Sequence, residues 1–227
     1  LRVGISIAFF APLALVFLDF GNLVQPAFTR DLLYLQFVPS LQEFLHGTTL
    51  GLAGCVVVLT LTALFGRVYC SIVCPLGTIQ DAIGFAARKR GKGRGFRFVR
   101  PDGFWRYAIA AATAWLVIIG SGLLLNLLDP FSASGRILAD LVRPAAVVAN
   151  NVAAAALEQF GVYAVPRRQW AVLTPAAVGV AVATLMIVGW LAATRGRLYC
   201  NTVCPVGTLL GLVARVAWLR IGIDAEA

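Results

Sequence analysis

The sequence predicts an all-helical membrane protein built from two similar halves, each with two transmembrane helices. Three observations support this fold class. Hydrophobic residues make up 60% of the 227 residues and charged residues only 13%, whereas a soluble domain carries about 25% charged residues. Mean hydropathy is +0.86. Finally, a stretch of thirteen residues occurs twice with few changes.

Four segments without charged side chains are long enough, or nearly so, to cross a bilayer, which takes about 20 apolar residues. They are Val3–Leu18, Thr48–Phe65, Tyr107–Leu125 and Ala171–Ala193. Because four is an even number, both ends of the chain are expected on the same side of the membrane.

The charges indicate which side that is. The side with both chain ends would hold 14 Lys and Arg against 4 acidic residues, and the other side 5 against 6, which accounts for the net charge of +9. Positively charged loops stay in the cytoplasm. We therefore expect a multi-pass membrane protein with both ends cytoplasmic. The basic stretch 88–106 is explained by topology or by contact with anionic membrane lipid, and no nucleic-acid partner is expected.

The repeated stretch reads GRVYCSIVCPLGT at 66–78 and GRLYCNTVCPVGT at 196–208, with nine of thirteen positions identical. Each copy follows the second predicted span of its half. Since both halves run in the same direction, they imply a pseudo-twofold axis along the membrane normal, which brings the two copies together. The expected divisions are a first repeat at 1–87, a basic cytoplasmic linker at 88–103, a second repeat at 104–220, and a tail at 221–227.

Two apolar segments between the spans, 31–45 and 126–170, are expected to form interfacial helices on the outer side. Pro39 is predicted to break the first segment. In the second, a short helix at Gly135–Val142 is predicted to stop before Pro144, and an Ala-rich helix is expected to follow.

Each repeat carries two cysteines four residues apart, Cys70 and Cys74 in the first and Cys200 and Cys204 in the second. Proline follows the second cysteine directly in both. Because proline is favoured at the first position of a helix, the second cysteine of each pair is expected at a helix N-cap. The sequence predicts short helices over 76–87 and 206–219.

The surroundings of the cysteines are predicted to be positive. The amide groups and macrodipole of a helix N-terminus favour a thiolate over a thiol. Arg67 and Arg197 lie three residues before the first cysteine of each pair and add positive charge. Such an environment suits thiolate ligands and an anionic group bound by them.

Four cysteines brought together have three possible roles. They suit an iron–sulfur cluster, [4Fe–4S] or [2Fe–2S], or a structural zinc ion. Two disulfides are the third possibility, which the reducing cytoplasm disfavours. The fifth cysteine, Cys55, lies within an apolar span and is interpreted as a packing residue.

Further polar residues repeat around the motifs. Tyr69 and Tyr199 precede the first cysteine of each pair, and they are either membrane-interface residues or residues that shield a cluster and tune its potential. Thr78 and Thr208 follow the second cysteines by one helical turn, where a bond to the backbone is favoured over one to sulfur. His46, the one histidine, is a helix-end residue or a proton acceptor for a quinol.

The chain resembles the membrane polyferredoxins of the NapH/NosR type. The likeness rests on two C-x-x-x-C-P motifs, CSIVCP at 70–75 and CNTVCP at 200–205, and on LDPFSASGRI at 128–137. It implies an iron–sulfur cluster on the four cysteines and a role as the electron-transfer component of a quinol-dependent oxidoreductase system. A quinone, the quinone pool and redox partner proteins are implied as ligand and partners, and the bacterial inner membrane as the location. The resemblance also implies that the tail at 221–227 leads into ferredoxin-like segments.

Two other functions remain open at this point. One is a non-catalytic membrane scaffold with a structural zinc ion on the four cysteines. The other is a transporter, suggested by the repeat. The predicted spans lack the charged side chains at mid-depth that transporters use, and this disfavours the transporter.

Overall fold

The computed structural model describes residues 2–19, 25–45, 47–89, 103–161, 163, 165–169 and 174–219. Within these ranges the regular secondary structure is all helical, without a strand. Nearly all of the predicted basic linker, the predicted tail and His46 lie outside the described residues.

The first half contains apolar helices on either side of a broken helical segment, followed by the first motif. Its helices are α1 (Arg2–Leu18), α2 (Pro26–Tyr34), α3 (Phe37–Leu45), α4 (Thr49–Phe65) and α5 (Pro75–Lys89). A π-helical turn, Tyr69–Val73, carries the first cysteine between α4 and α5.

The second half has the same order of elements with a longer segment between its apolar helices. Its helices are α6 (Gly103–Ile118), α7 (Leu123–Leu128), α8 (Pro130–Arg136), α9 (Arg143–Gln159), α10 (Pro175–Arg195), α11 (Leu198–Thr202) and α12 (Pro205–Val213). A π-helical stretch, Ile137–Val142, joins α8 to α9 without interruption.

In the described part of the chain, two helical stretches are long and apolar enough to cross a membrane. One is α10, which corresponds to the predicted span 171–193. The other is the continuous stretch Pro130–Gln159, which was expected as two separate interfacial helices. The helices α1, α4 and α6, at the other predicted spans, are apolar but only 16 or 17 residues long. The four-span arrangement therefore stays a prediction.

The prolines do not end helices where the sequence suggested. The break in the first segment falls at Leu35 and Gln36, and Pro39 lies in the first turn of α3, where its missing N–H would be unpaired in any case. Pro144 starts α9 without ending the preceding helix. The π-helical stretch just before it relieves the clash that proline makes with the carbonyl four residues earlier.

The helices that follow the motifs lie between the two halves. Helix α5 packs against α8 and α10 of the second half, and α12 packs against α4 of the first half as well as α6. Helix α12 ends at Val213, earlier than predicted, because the chain then turns toward α4. There the backbone amides of Trp218 and Leu219 donate to the carbonyls of Ala63 and Leu64, 3.0 Å away in both cases, and pair carbonyls that a helix end leaves open.

Candidate metal centre

The two motifs meet in the buried core between the halves. Cys74 and Cys204 are both 2% exposed and belong to one hydrophobic cluster, against which Cys70 packs; Cys200 is also buried. None of the four forms a disulfide. Each thiol interacts electrostatically with the other three. The fold therefore brings the two distant motifs to a single site.

Both second cysteines begin a helix, as predicted. Cys204 is the N-cap of α12, and its Sγ accepts a hydrogen bond from the amide of Gly207 at 3.2 Å. Cys74 has the same extended backbone, and the amide of Gly77 supports a thiolate on it. A Cβ on Gly77 would stand 2.8 Å from the carbonyl oxygen of Cys70. Only glycine allows this close approach of helix and cysteine loop.

The prediction that this setting favours free thiolates is wrong. Burial raises the pKa of all four thiols, that of Cys70 to about 12. The positive charges of Arg67 and Arg197 lower the pKa of Cys70 and Cys200 by less than burial raises it. The effect of burial on the thiol pKa is therefore larger than the effect of the helix N-terminus. A metal centre that binds these cysteines would have to be coupled to the deprotonation of their thiols.

A single zinc ion and an iron–sulfur cluster require different arrangements of the four sulfurs. Tetrahedral zinc holds its four sulfurs about 3.8 Å apart, since each Zn–S bond is about 2.3 Å. Among the described residues, no group of three or more His, Cys, Asp or Glu is arranged to hold one metal ion. A cluster makes a different demand on its ligands, because each of its four cysteines binds a different iron.

The two repeated tyrosines are buried, which excludes the membrane-interface interpretation. The hydroxyl of Tyr69 accepts from the amide of Phe37 at 3.1 Å and donates to Oε1 of Gln36 at 3.0 Å. The hydroxyl of Tyr199 donates to the carbonyl of Leu128 at 3.1 Å. Each tyrosine therefore reaches from its cysteine pair to the break in the broken segment of its own half, and the two segments close over the site.

The two repeated arginines cross between the halves. Nε of Arg197 donates to Asp81 in α5 at 2.8 Å, and its Nη1 donates to the carbonyl of Cys70 at 3.0 Å. Nη1 of Arg67 donates to Oδ1 of Asn201 at 2.7 Å. The arginine of each motif thus forms hydrogen bonds with the other half.

The sequence favoured a bond from the repeated threonines to the backbone over one to sulfur, and Thr208 forms such a backbone bond. The hydroxyl of Thr208 donates to the carbonyl of Cys204 at 3.1 Å, and Nε of Arg106 donates to this hydroxyl at 3.4 Å. Thr78 lines a cavity between α1 and α5 together with Asp81 and Arg197. Cys55 lies in the contact of α4 with α3, near the carbonyl of Phe37, and is a packing residue as expected.

Sequence reasoning missed two buried polar residues at the site. Gln80 is 2% exposed, and its Nε2 lies 3.3 Å from Sγ of Cys200. Asp129 is fully buried at the break between α7 and α8, where it caps α8 by accepting from the amide of Ser132 at 2.8 Å. Burial raises its pKa to about 6. Gln80 could have been found by comparing the two repeats beyond the thirteen residues, because Leu210 occupies the same place in the second copy.

Comparison with known proteins agrees with this site. The profile of the family described as "4Fe-4S binding domain" matches residues 48–93 and 174–224, so each matched range contains one motif. The chain is 26% identical over 156 residues to the "Methylamine utilization ferredoxin-type protein MauN" of Paracoccus denitrificans (strain Pd 1222). The aligned part covers 69% of this chain and 42% of the length of that relative. No solved structure matches the chain. The similarities support an iron–sulfur protein of ferredoxin type that carries a [4Fe–4S] cluster.

Proposed function

We propose that this chain is a membrane-bound electron-transfer protein of the NapH/NosR type. It holds a [4Fe–4S] cluster on Cys70, Cys74, Cys200 and Cys204 and passes electrons between the quinone pool and ferredoxin-type or partner redox centres. The observation that carries the proposal is the meeting of the two motifs at one buried site. The residues fit the cluster, because Cys₄ ligation is what [4Fe–4S] centres use.

The protein supplies a dry, positively flanked site, and the cluster when bound supplies one-electron chemistry. Gly77 and Gly207 let the helix amides approach the sulfurs. Tyr69 and Tyr199 keep water out by holding the two broken segments over the site. Arg197, from the opposite half, places a positive charge against the backbone of Cys70.

Exposed apolar surface supports the membrane part of the proposal. Large apolar side chains are exposed on the helices at all four predicted spans, among them Leu15, Val56, Trp115 and Trp190. Soluble monomers rarely expose contiguous apolar patches of more than a few hundred Å². With the charge distribution of the sequence, this supports four spans with both cysteine motifs on the cytoplasmic side. Reporter fusions after residues 94 and 227 should then both report cytoplasm.

An apolar cavity supports the link to the quinone pool. It has a volume of about 550 Å³ and lies between α6 and α12, with Ala111 in its wall. Pro205 and Val206, the residues directly after Cys204, also line it. Its size suits a small apolar ring system, and its position gives such a ring a short path to the cluster.

The experiment that tests the function begins with anaerobic purification, iron and sulfide analysis, and electron paramagnetic resonance. We expect four irons per chain and a signal that appears on reduction. Stoichiometric zinc without iron would establish the structural scaffold instead. The quinone link is tested with Ala111→Trp, which fills the cavity. It should abolish reduction by a quinol and leave reduction by dithionite intact.

Ala112→Trp is the matched control, because Ala112 is exposed on the same helix and does not line the cavity. Loss of quinol-dependent reduction in both variants, or in neither, would contradict the assignment of the cavity.

A further inference from the structure

Gln80 is a buried amide that reaches across the boundary between the two halves. It belongs to α5, in the first half, and is 2% exposed. Its Nε2 lies 3.3 Å from Sγ of Cys200, which is 120 residues away in the second half. The amide N–H points at a sulfur that the proposed function assigns as a cluster ligand.

The second half has no such donor at the equivalent position. When the repeats are aligned on Pro75 and Pro205, Gln80 corresponds to Leu210, which is fully buried. An apolar side chain of similar size therefore fills the same place in the other copy. Packing at this position does not require an amide.

The rest of the Gln80 side chain does not explain its presence either. Its Oε1 is buried and has no hydrogen-bond partner among the described residues. A buried polar atom without a partner is unfavourable, so leucine would be the less costly choice here. Among the described residues, the one hydrogen bond that this side chain makes is the bond to Cys200 Sγ.

We propose that Gln80 is a positioning residue that raises the reduction potential of the cluster through its hydrogen bond to Cys200. This inference rests on the proposed function, because it needs a cluster on the four cysteines. A hydrogen bond to a ligating sulfur stabilises negative charge on the centre, and the reduced centre carries one more electron. The bond is therefore stronger in the reduced state, and reduction becomes easier.

Because only one half supplies the donor, the site is also unsymmetrical. An iron bound by Cys200 would differ in its surroundings from an iron bound by Cys70, although the two motifs are nearly identical. The added electron is expected to reside preferentially on the side of Cys200. Gln80 thereby makes the two sides of a nearly twofold-symmetric site electronically different.

The test is an anaerobic redox titration of the full chain, followed by electron paramagnetic resonance. Gln80→Leu copies the residue of the second repeat. It should retain the iron, shift the midpoint potential to a more negative value, and change the line shape of the reduced signal. Gln80→Met, which also lacks a donor, should shift the potential in the same direction. The control Leu210→Met keeps the volume in the other repeat and should leave the potential unchanged.

Two results would overturn the inference. One is iron-loaded Gln80→Leu and Gln80→Met with the potential and signal of the original chain. The other is loss of iron from both variants while their helical content is kept, which would make Gln80 a residue needed for assembly. Failure of the proposed function is recognised separately, because the unchanged chain would then contain no iron.

Discussion

Arg197 of the second half and Asp81 of the first half form a two-pronged ion pair, with Nε to Oδ1 at 2.8 Å and Nη2 to Oδ2 at 2.5 Å. The same guanidinium donates to the carbonyls of Cys70 and Ser71. One side chain therefore ties the second motif to the loop and the helix of the first. Planar arginine suits this task, because its donors are fixed in a fork.

Replacing this arginine should loosen the join between the halves. Arg197→Leu leaves two loop carbonyls and Asp81 without these bonds, and we expect a loss of about 2 kcal/mol of stability. Solvent reaches 43% of the Asp81 side chain and weakens the pair, so the estimate rests mainly on the carbonyls. Chemical unfolding in detergent, followed by circular dichroism, measures the loss.

Arg67→Leu is the matched control for that change. Arg67 is exposed, and it donates to the side chain of Asn201, so a loss below about 1 kcal/mol is expected. Equal losses of stability in the two variants would contradict the role of Arg197 in joining the two halves. In iron-loaded protein both changes should also lower the reduction potential, since each removes positive charge near the site.

Adding one methyl group at Gly77 should damage the site without touching a sulfur. In Gly77→Ala the new Cβ would stand 2.8 Å from the carbonyl oxygen of Cys70, so α5 or the cysteine loop must move. We expect the iron content to fall by at least half, measured on purified protein. Gly179→Ala, in α10, has open space around its Cβ and should retain all of its iron. Full loading of Gly77→Ala would show that the loop adapts.

Substitution of a motif cysteine should remove iron, whereas substitution of the fifth cysteine should not. Cys74→Ser and Cys204→Ser each remove a proposed ligand, and both should abolish the iron signal and quinol-dependent reduction. Cys55→Ser should keep both, because Cys55 lies in the packing of α3 against α4. Iron analysis and paramagnetic resonance decide the matter. Iron retained in Cys204→Ser at the original level would refute the ligand assignment.

Asp129 should make stability depend on pH. Burial raises its pKa from 3.8 to about 6, so the folded chain holds this proton more tightly than the unfolded chain does. The resulting stabilisation is complete below pH 3.8 and is lost as the pH rises through about 6. A shift of this size corresponds to about 3 kcal/mol.

Asp129→Asn keeps an oxygen that can accept from Ser132 but removes the titration. Thermal melting between pH 4 and pH 7 should show stability falling with pH in the original chain and a flatter profile in the variant. Identical profiles in the two proteins would contradict the role of Asp129.

The sequence was most informative about features that depend only on residues close together in the chain. Proline after Cys74 and Cys204 predicted both N-caps, because the preference of proline for the first helical position is local. The sequence also predicted the pairing of the two motifs, which follows from the repeat. The bond from Gln80 to Cys200 and the burial of Asp129 depend on contacts between distant segments, which no local pattern specifies.

The prediction of thiolates was wrong for a related reason. The sequence indicates nearby positive charge and a helix terminus, but the pKa of a thiol also depends on how much water surrounds it. The depth of burial is set by the broken segments that Tyr69 and Tyr199 hold over the site. Neither segment is close to a motif in the chain, so their effect could not be read from the motifs.

The exchange of contacts between the halves also sets an order of events during biosynthesis. Cys70 leaves the ribosome 127 residues before Arg197, the side chain that binds its carbonyl. At about 5–20 residues per second, the first cysteine pair waits roughly 6–25 seconds for its partner. Throughout that time its two thiols lack the other two proposed ligands and the cover of the second half. Under the proposed function, a cluster with all four ligands can form only after synthesis of the second motif, and the first pair is open to oxidation or to the wrong metal until then.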